Sequence, residues 1–91
     1  MATAELSPEA ALLEIRGLAK ANRFNFEPHA LARMEERGAQ VRDVQFALCN
    51  ATECRCQPEN GRWKVDGADL DGDALTLVVE IDDGLLVVTV F

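Results

Sequence analysis

The stretch Ala74-Leu75-Thr76-Leu77-Val78-Val79-Glu80-Ile81-Asp82-Asp83-Gly84-Leu85-Leu86-Val87-Val88-Thr89-Val90-Phe91 decides how this chain is built. Leu75, Leu77, Val79 and Ile81 recur at every second residue, the period of a strand with one buried face. Asp83-Gly84 then signals a hairpin, because both residues tolerate the positive φ of a two-residue primed turn. Pairing across such a turn sets Ile81 against Leu86, Val79 against Val88 and Leu77 against Val90. One face of the hairpin is then apolar throughout and must be covered by other elements. The opposite face is mixed, with Thr76, Val78 and Glu80 facing Phe91, Thr89 and Val87.

Upstream, Asp71-Gly72 reads as a second hairpin turn, joined to a strand over Arg62 to Asp69. Gly67 marks an expected bulge in that strand. The extra residue places Trp63 and Val65 on the apolar face, leaving Arg62 and Lys64 on the mixed one. Pro58 to Gly61 forms the preceding turn, and a fourth strand falls near Thr52 to Cys56.

The first half of the chain has a different period. Ser7-Pro8-Glu9 is a helix start, with a capping hydroxyl, a first-turn proline and an acidic residue at the positive end of the dipole. Ala11, Leu12, Ile15, Leu18 and Ala19 follow at helical spacing, so a helix is predicted from about Pro8 to Lys20. Phe24-Asn25-Phe26 alternates like a short strand. A second helix is predicted from Pro28, ending at Gly38 as a left-handed cap. A third turns Val41, Val44 and Leu48 inward and closes near Asn50, with Gln40 where a stronger capping residue is expected. The expected architecture is one α+β domain over residues 1–91, its residues 1–7 flexible. N-terminal helices pack on one face of a three- to four-stranded antiparallel sheet whose other face is open. The strand ending at Phe91 is expected to be a sheet edge, able to pair with a second copy as a homodimer.

Ninety-one residues, 48% hydrophobic and 27% charged, fit one globular core. No apolar run approaches the ~20 residues that cross a bilayer, and Met1 to Leu6 lacks a signal-peptide pattern. Cytoplasmic residence is the expectation, and three cysteines, an odd number, fit free thiols there. The net charge of −7 argues against a large nucleic-acid footprint but leaves room for a local basic patch.

The helix His29-Ala30-x-x-Arg33-Met34-x-x-Arg37-Gly38, followed by a short helix containing Asp43-Val44, resembles the bacterial family called domain of unknown function 4258. The segment Gly72 to Phe91, with its Asp-Gly hairpin, matches that family as well, so the resemblance covers roughly Phe24 to Phe91. That family is similar in element order to MqsR-like toxins of the wider RelE-like group, small bacterial ribonucleases held inactive by an antitoxin. The resemblance implies a metal-independent endoribonuclease with basic groups on the open sheet face, an RNA substrate, an antitoxin partner and no cofactor.

On this reading Arg62, Lys64, Glu80 and His29 are the candidate catalytic residues, and Arg33 and Arg37 the candidate RNA-binding ones. Cleavage without a metal needs a base for the 2′-hydroxyl, an acid for the leaving group and cations for the phosphorane. Arg62 and Lys64 share a strand face beside Glu80, while His29, Arg33 and Arg37 form a stripe at i, i+4 and i+8 on a helix. The structural reading of the same residues is cross-strand ion pairing on the sheet and a solvated face on the helix. Cys49, Cys54 and Cys56 have no usual zinc spacing, and Asp69-x-Asp71-Gly72-Asp73 lacks the glycine and helical flanks of a calcium loop, so no metal is expected. Trp63 is expected in the core. The chain contains no tyrosine and is acidic, which favours a second function: a non-catalytic protein-interaction module on the same scaffold.

Overall fold

A computed structural model describes residues 6–91. Of the segment expected to be flexible, residues 1–5 lie outside the described residues, and Ser7 has a defined role. Its Oγ accepts the Ala10 N–H at 3.1 Å, opening α1 (Pro8–Lys20) with Pro8 in the first turn. Ala11, Ile15 and Ala19 form the buried stripe of this helix. After β1 (Phe24–Phe26), α2 (Pro28–Arg37) stops at Gly38, whose φ of 72° is the left-handed cap its position predicts. α3 (Val41–Cys49) is capped from within: the Gln40 N–H donates to the Asp43 carboxylate at 2.9 Å, so the weak cap at Gln40 is offset three residues on. Val44, Ala47 and Leu48 are buried where α3 packs on the sheet. Val41, expected to point inward, is instead 48% exposed, because it lies at the start of α3, ahead of that packed stripe.

The strands β2 (Glu53–Gln57), β3 (Arg62–Ala68), β4 (Ala74–Ile81) and β5 (Leu85–Val90) join β1 in one five-stranded sheet of order β1-β5-β4-β3-β2. The sheet is therefore mixed and wider than the three- to four-stranded antiparallel sheet expected. Phe24–Phe26 is the reason: it runs parallel to β5, Phe24 opposite Leu85 and Phe26 opposite Val87. This also corrects the expected edge. The strand leading to Phe91 lies between β1 and β4, and the edges are β1 and β2.

Two turns differ from their expected length. Ile81 pairs with Leu85, leaving a three-residue loop in which Asp83 and Gly84 both take positive φ. The register beyond is Glu80 with Leu86 and Val79 with Val87, not Leu86 with Ile81 or Val88 with Val79. A bulge between Val78 and Val79 makes Val88 the extra residue and restores Leu77 opposite Val90 as expected. The β3–β4 connection is likewise longer, with Ala68 opposite Ala74 and Asp69 Oδ1 accepting the N–H groups of Asp71 and Asp73. That loop absorbs the residue assigned to a bulge at Gly67, where the ladder is continuous.

The faces of β3 and β4 sort as the alternation requires. In β5 the shifted register turns Leu85 and Val87 into the core and leaves Leu86 and Val88, expected there, outside it. Trp63, Val65, Leu75, Leu77, Val79, Leu85, Val87 and Val90 join Ala11, Ile15, Ala30, Met34, Val44 and Leu48 in one core beneath the helices. Gly67 belongs to that packing: a Cβ there would lie 2.6 Å from the Ala47 carbonyl oxygen of α3. The missing side chain lets α3 settle directly on β3. Gly67→Ala is expected to cost roughly 1–3 kcal/mol, the usual range for overpacking. Gly17→Ala, in an α1 position with open space around it, is expected to add about 0.5–1 kcal/mol. Urea unfolding of the two variants checks both signs.

Candidate functional site on the helix-free face

Because Trp63 and Val65 point into the core, the period of two turns Arg62, Lys64 and Asp66 to the helix-free side. Register then selects their neighbours. Lys64 is opposite Val78, Asp66 opposite Thr76, and Arg62 stands one step from the Trp63–Val79 pair, beside Glu80. Arg62 Nε approaches Glu80 Oε1 at 3.6 Å, with both side chains partly exposed. On the other flank β2 sets Arg55 opposite Lys64 and Gln57 opposite Arg62. Arg55 lies 3.5 Å from both Glu53 and Asp66, while the Thr76 hydroxyl donates to Asp66 at 3.1 Å.

Among the strand residues of this face stand three cations, Arg55, Arg62 and Lys64, and three carboxylates, Glu53, Asp66 and Glu80. The face is therefore neutral overall, and the rest of the chain carries the net charge of −7. Phe91 lies on the same side, its N–H donating to the Thr76 carbonyl at 2.8 Å, and the residue is 44% exposed. The Lys64 ammonium sits 5.5 Å from the ring centroid. At the Glu80 end, a hollow of about 260 Å³ is bordered by Glu80, Leu86, Asn25 and Arg23, the last held by Asp83 at 3.0 Å.

The sequence-predicted residues thus divide into two groups. Arg62 and Glu80 are brought together, and Lys64 shares their face with its ammonium turned to Phe91. His29, Arg33 and Arg37 are on α2, whose Ala30 and Met34 join the core on the opposite side of the sheet. His29 is exposed there. Arg33 reaches the Val90 carbonyl and Glu36, at 3.4 and 3.5 Å, and Arg37 reaches the Ala74 carbonyl at 3.4 Å. Two of the three residues in this stripe therefore hold α2 to strand ends. Arg55, Asp66 and Phe91 were not among the predicted site residues. Alternation carried outward from Cys54 and Trp63 would have found the first two, and the hairpin pairing already set Phe91 against Thr76.

Cys54 is buried, and its thiol donates to the Pro8 carbonyl at 3.3 Å. Burial chiefly, and then the charges of Glu9, Cys56 and Glu53, raise its pKa. Cys49 is also raised by burial, with Lys20 opposing. Cys56 is exposed, and no group of three or more potential metal ligands occurs among the described residues. No helix among them is long and apolar enough to cross a membrane. No family model matches this sequence, and no curated protein or solved structure matches it either.

Two expectations follow. Alkylation near neutral pH should modify Cys56 first and Cys54 last, as read by peptide mass mapping. Equal rates would mean that β2 opens from β3 faster than the reagent reacts. Arg62→Ala and Lys64→Ala should each lower the unfolding free energy by less than about 1 kcal/mol, because half-exposed ion pairs and cation–π contacts contribute little. Urea titration of each variant checks this and certifies them for functional assays.

Proposed function

We propose that this chain is a metal-independent, toxin-type endoribonuclease acting on single-stranded RNA in the cytoplasm and restrained by an antitoxin. The carrying observation is that Glu80, Arg62 and Lys64 share the one sheet face that no helix among the described residues covers, with Arg62 paired to Glu80 and the Lys64 ammonium beside Phe91. The order of elements, two helices after a short strand and then an antiparallel meander, supports the likeness to the RelE-like and MqsR-like group.

The chemistry assigned to these groups is an internal transfer. Glu80 takes the 2′-hydroxyl proton as that oxygen attacks phosphorus. Arg62 and Lys64 meet the charge that builds on the phosphorane oxygens. The Lys64 ammonium or a water molecule returns a proton to the 5′ oxygen as its bond to phosphorus breaks. The products are a 2′,3′-cyclic phosphate and a 5′-hydroxyl. His29 has no part in this scheme, since it belongs to the helix layer.

One observation favours the alternative, a non-catalytic protein-interaction module. Arg62 and Arg55 already have carboxylate neighbours, so the face resembles a self-neutralised surface of the kind that meets another protein. The two readings part on a single assay: cleavage of unstructured RNA by the purified chain in the presence of a chelator. Glu80→Gln and the double variant Arg62→Ala/Lys64→Ala are expected to lose roughly 10²-fold or more in rate, with folding intact. Absence of cleavage by the wild type, together with no growth arrest on induced expression, would transfer the assignment to the interaction module.

A further inference from the structure

We infer that Phe91 is a base-stacking platform, forming with Lys64 a nucleotide subsite beside the proposed scissile position. The inference rests on the ribonuclease reading for its ligand, but its geometry is independent of which residue acts as base. Single-stranded nucleic acid is held without sequence readout by an exposed aromatic ring next to a cation, the ring taking the base and the cation the backbone.

Phe91 meets these requirements where the other aromatic side chains do not. Trp63 is 4% exposed in the core, Phe24 and Phe26 pack against that core and edge to face on each other at 5.8 Å, and Phe46 is on α3 in the helix layer. Phe91 is on the helix-free face, tied through its backbone to Thr76, with its ring open to solvent and to Lys64. The position of the Lys64 ammonium shows that a group carrying positive charge can approach this ring. A purine or pyrimidine would use the same open ring face through its own π-face. Stacking would release the ammonium to the adjacent phosphate, and Arg55, cross-strand from Lys64, stands on the same side.

The subsite is tested with a short single-stranded oligoribonucleotide fully 2′-O-methylated, which cannot be cleaved, by fluorescence anisotropy with the full chain. Phe91→Ala is expected to weaken binding about 5- to 150-fold, the range that one stacked base spans. The salt dependence should stay unchanged, because no phosphate contact is lost. Phe91→Tyr should bind as the wild type and Phe91→Leu should not, which separates stacking from apolar bulk. Lys64→Ala should instead reduce the salt slope by about 0.7, the value of one phosphate on a single strand.

Equal binding by wild type, Phe91→Ala and Phe91→Leu would overturn the subsite, even if unmodified RNA is cleaved. Binding that depends on Phe91 without cleavage of unmodified RNA would uphold the subsite and sink the ribonuclease reading. No binding by the wild type at micromolar protein would overturn the subsite, while cleavage of unmodified RNA alone decides the ribonuclease reading.

Discussion

The register of β3 on β4 is the constraint on which the rest depends. Trp63 opposite Val79 and Val65 opposite Leu77 build the floor of the core, and the same pairing sets Arg62 beside Glu80 and Lys64 over Val78. Side chains alternate with a period of two, so a slip of one residue would drive two cations under the helices and lift Trp63 into solvent. The cost of burying unpaired charge makes that alternative inaccessible. Core and candidate site are therefore two readings of one ladder. Gly67 locks it at the helix end, where the Ala47 carbonyl occupies the space a side chain would need.

The long apolar alternation of β4 and β5 made the hairpin legible, and the capping residues Ser7 and Gly38 fixed the helix boundaries. Sequence reasoning stopped where competing solutions were locally equivalent. Asp83-Gly84 suits a two-residue turn, yet the chain takes a three-residue loop and recovers the outer register through a bulge at Val88. Both choices bury Leu77 and Val90, so no local residue distinguishes them. The parallel β1–β5 pairing was invisible for another reason. Three residues carry too little pattern to name a partner distant in sequence, and the pairing decides both the strand count and the identity of the edges.

Half of the candidate site was legible by the same logic. Alternation put Arg62, Lys64 and Glu80 on one face only with an extra residue assigned to Gly67. The protein reaches the same face with a continuous ladder, because the longer loop before β4 supplies the shift. The α2 stripe was open to two readings, because helical spacing says which residues share a face but not what that face meets. Arg33 and Arg37 meet the carbonyls of Val90 and Ala74, which makes them fasteners between helix and sheet. Balanced charge on the open face likewise could not be seen in a net total, since helices and strands each sum to zero and the −7 comes from the loops and the residues ahead of α1.

The parallel union of β1 with β5 has a kinetic side. Phe24 pairs with Leu85, 61 positions further along the chain, whereas β2 through β5 form successive antiparallel neighbours. Contacts this remote incur their loop-closure entropy before they return any stability, so they form late and slow the overall reaction. The meander is then the part able to assemble early, with β5 left as a bare strand until Phe24–Phe26 docks beside it. An intermediate of that kind exposes a strand of leucines and valines, Leu85 to Val90, whose unsatisfied edge invites pairing with another chain during synthesis.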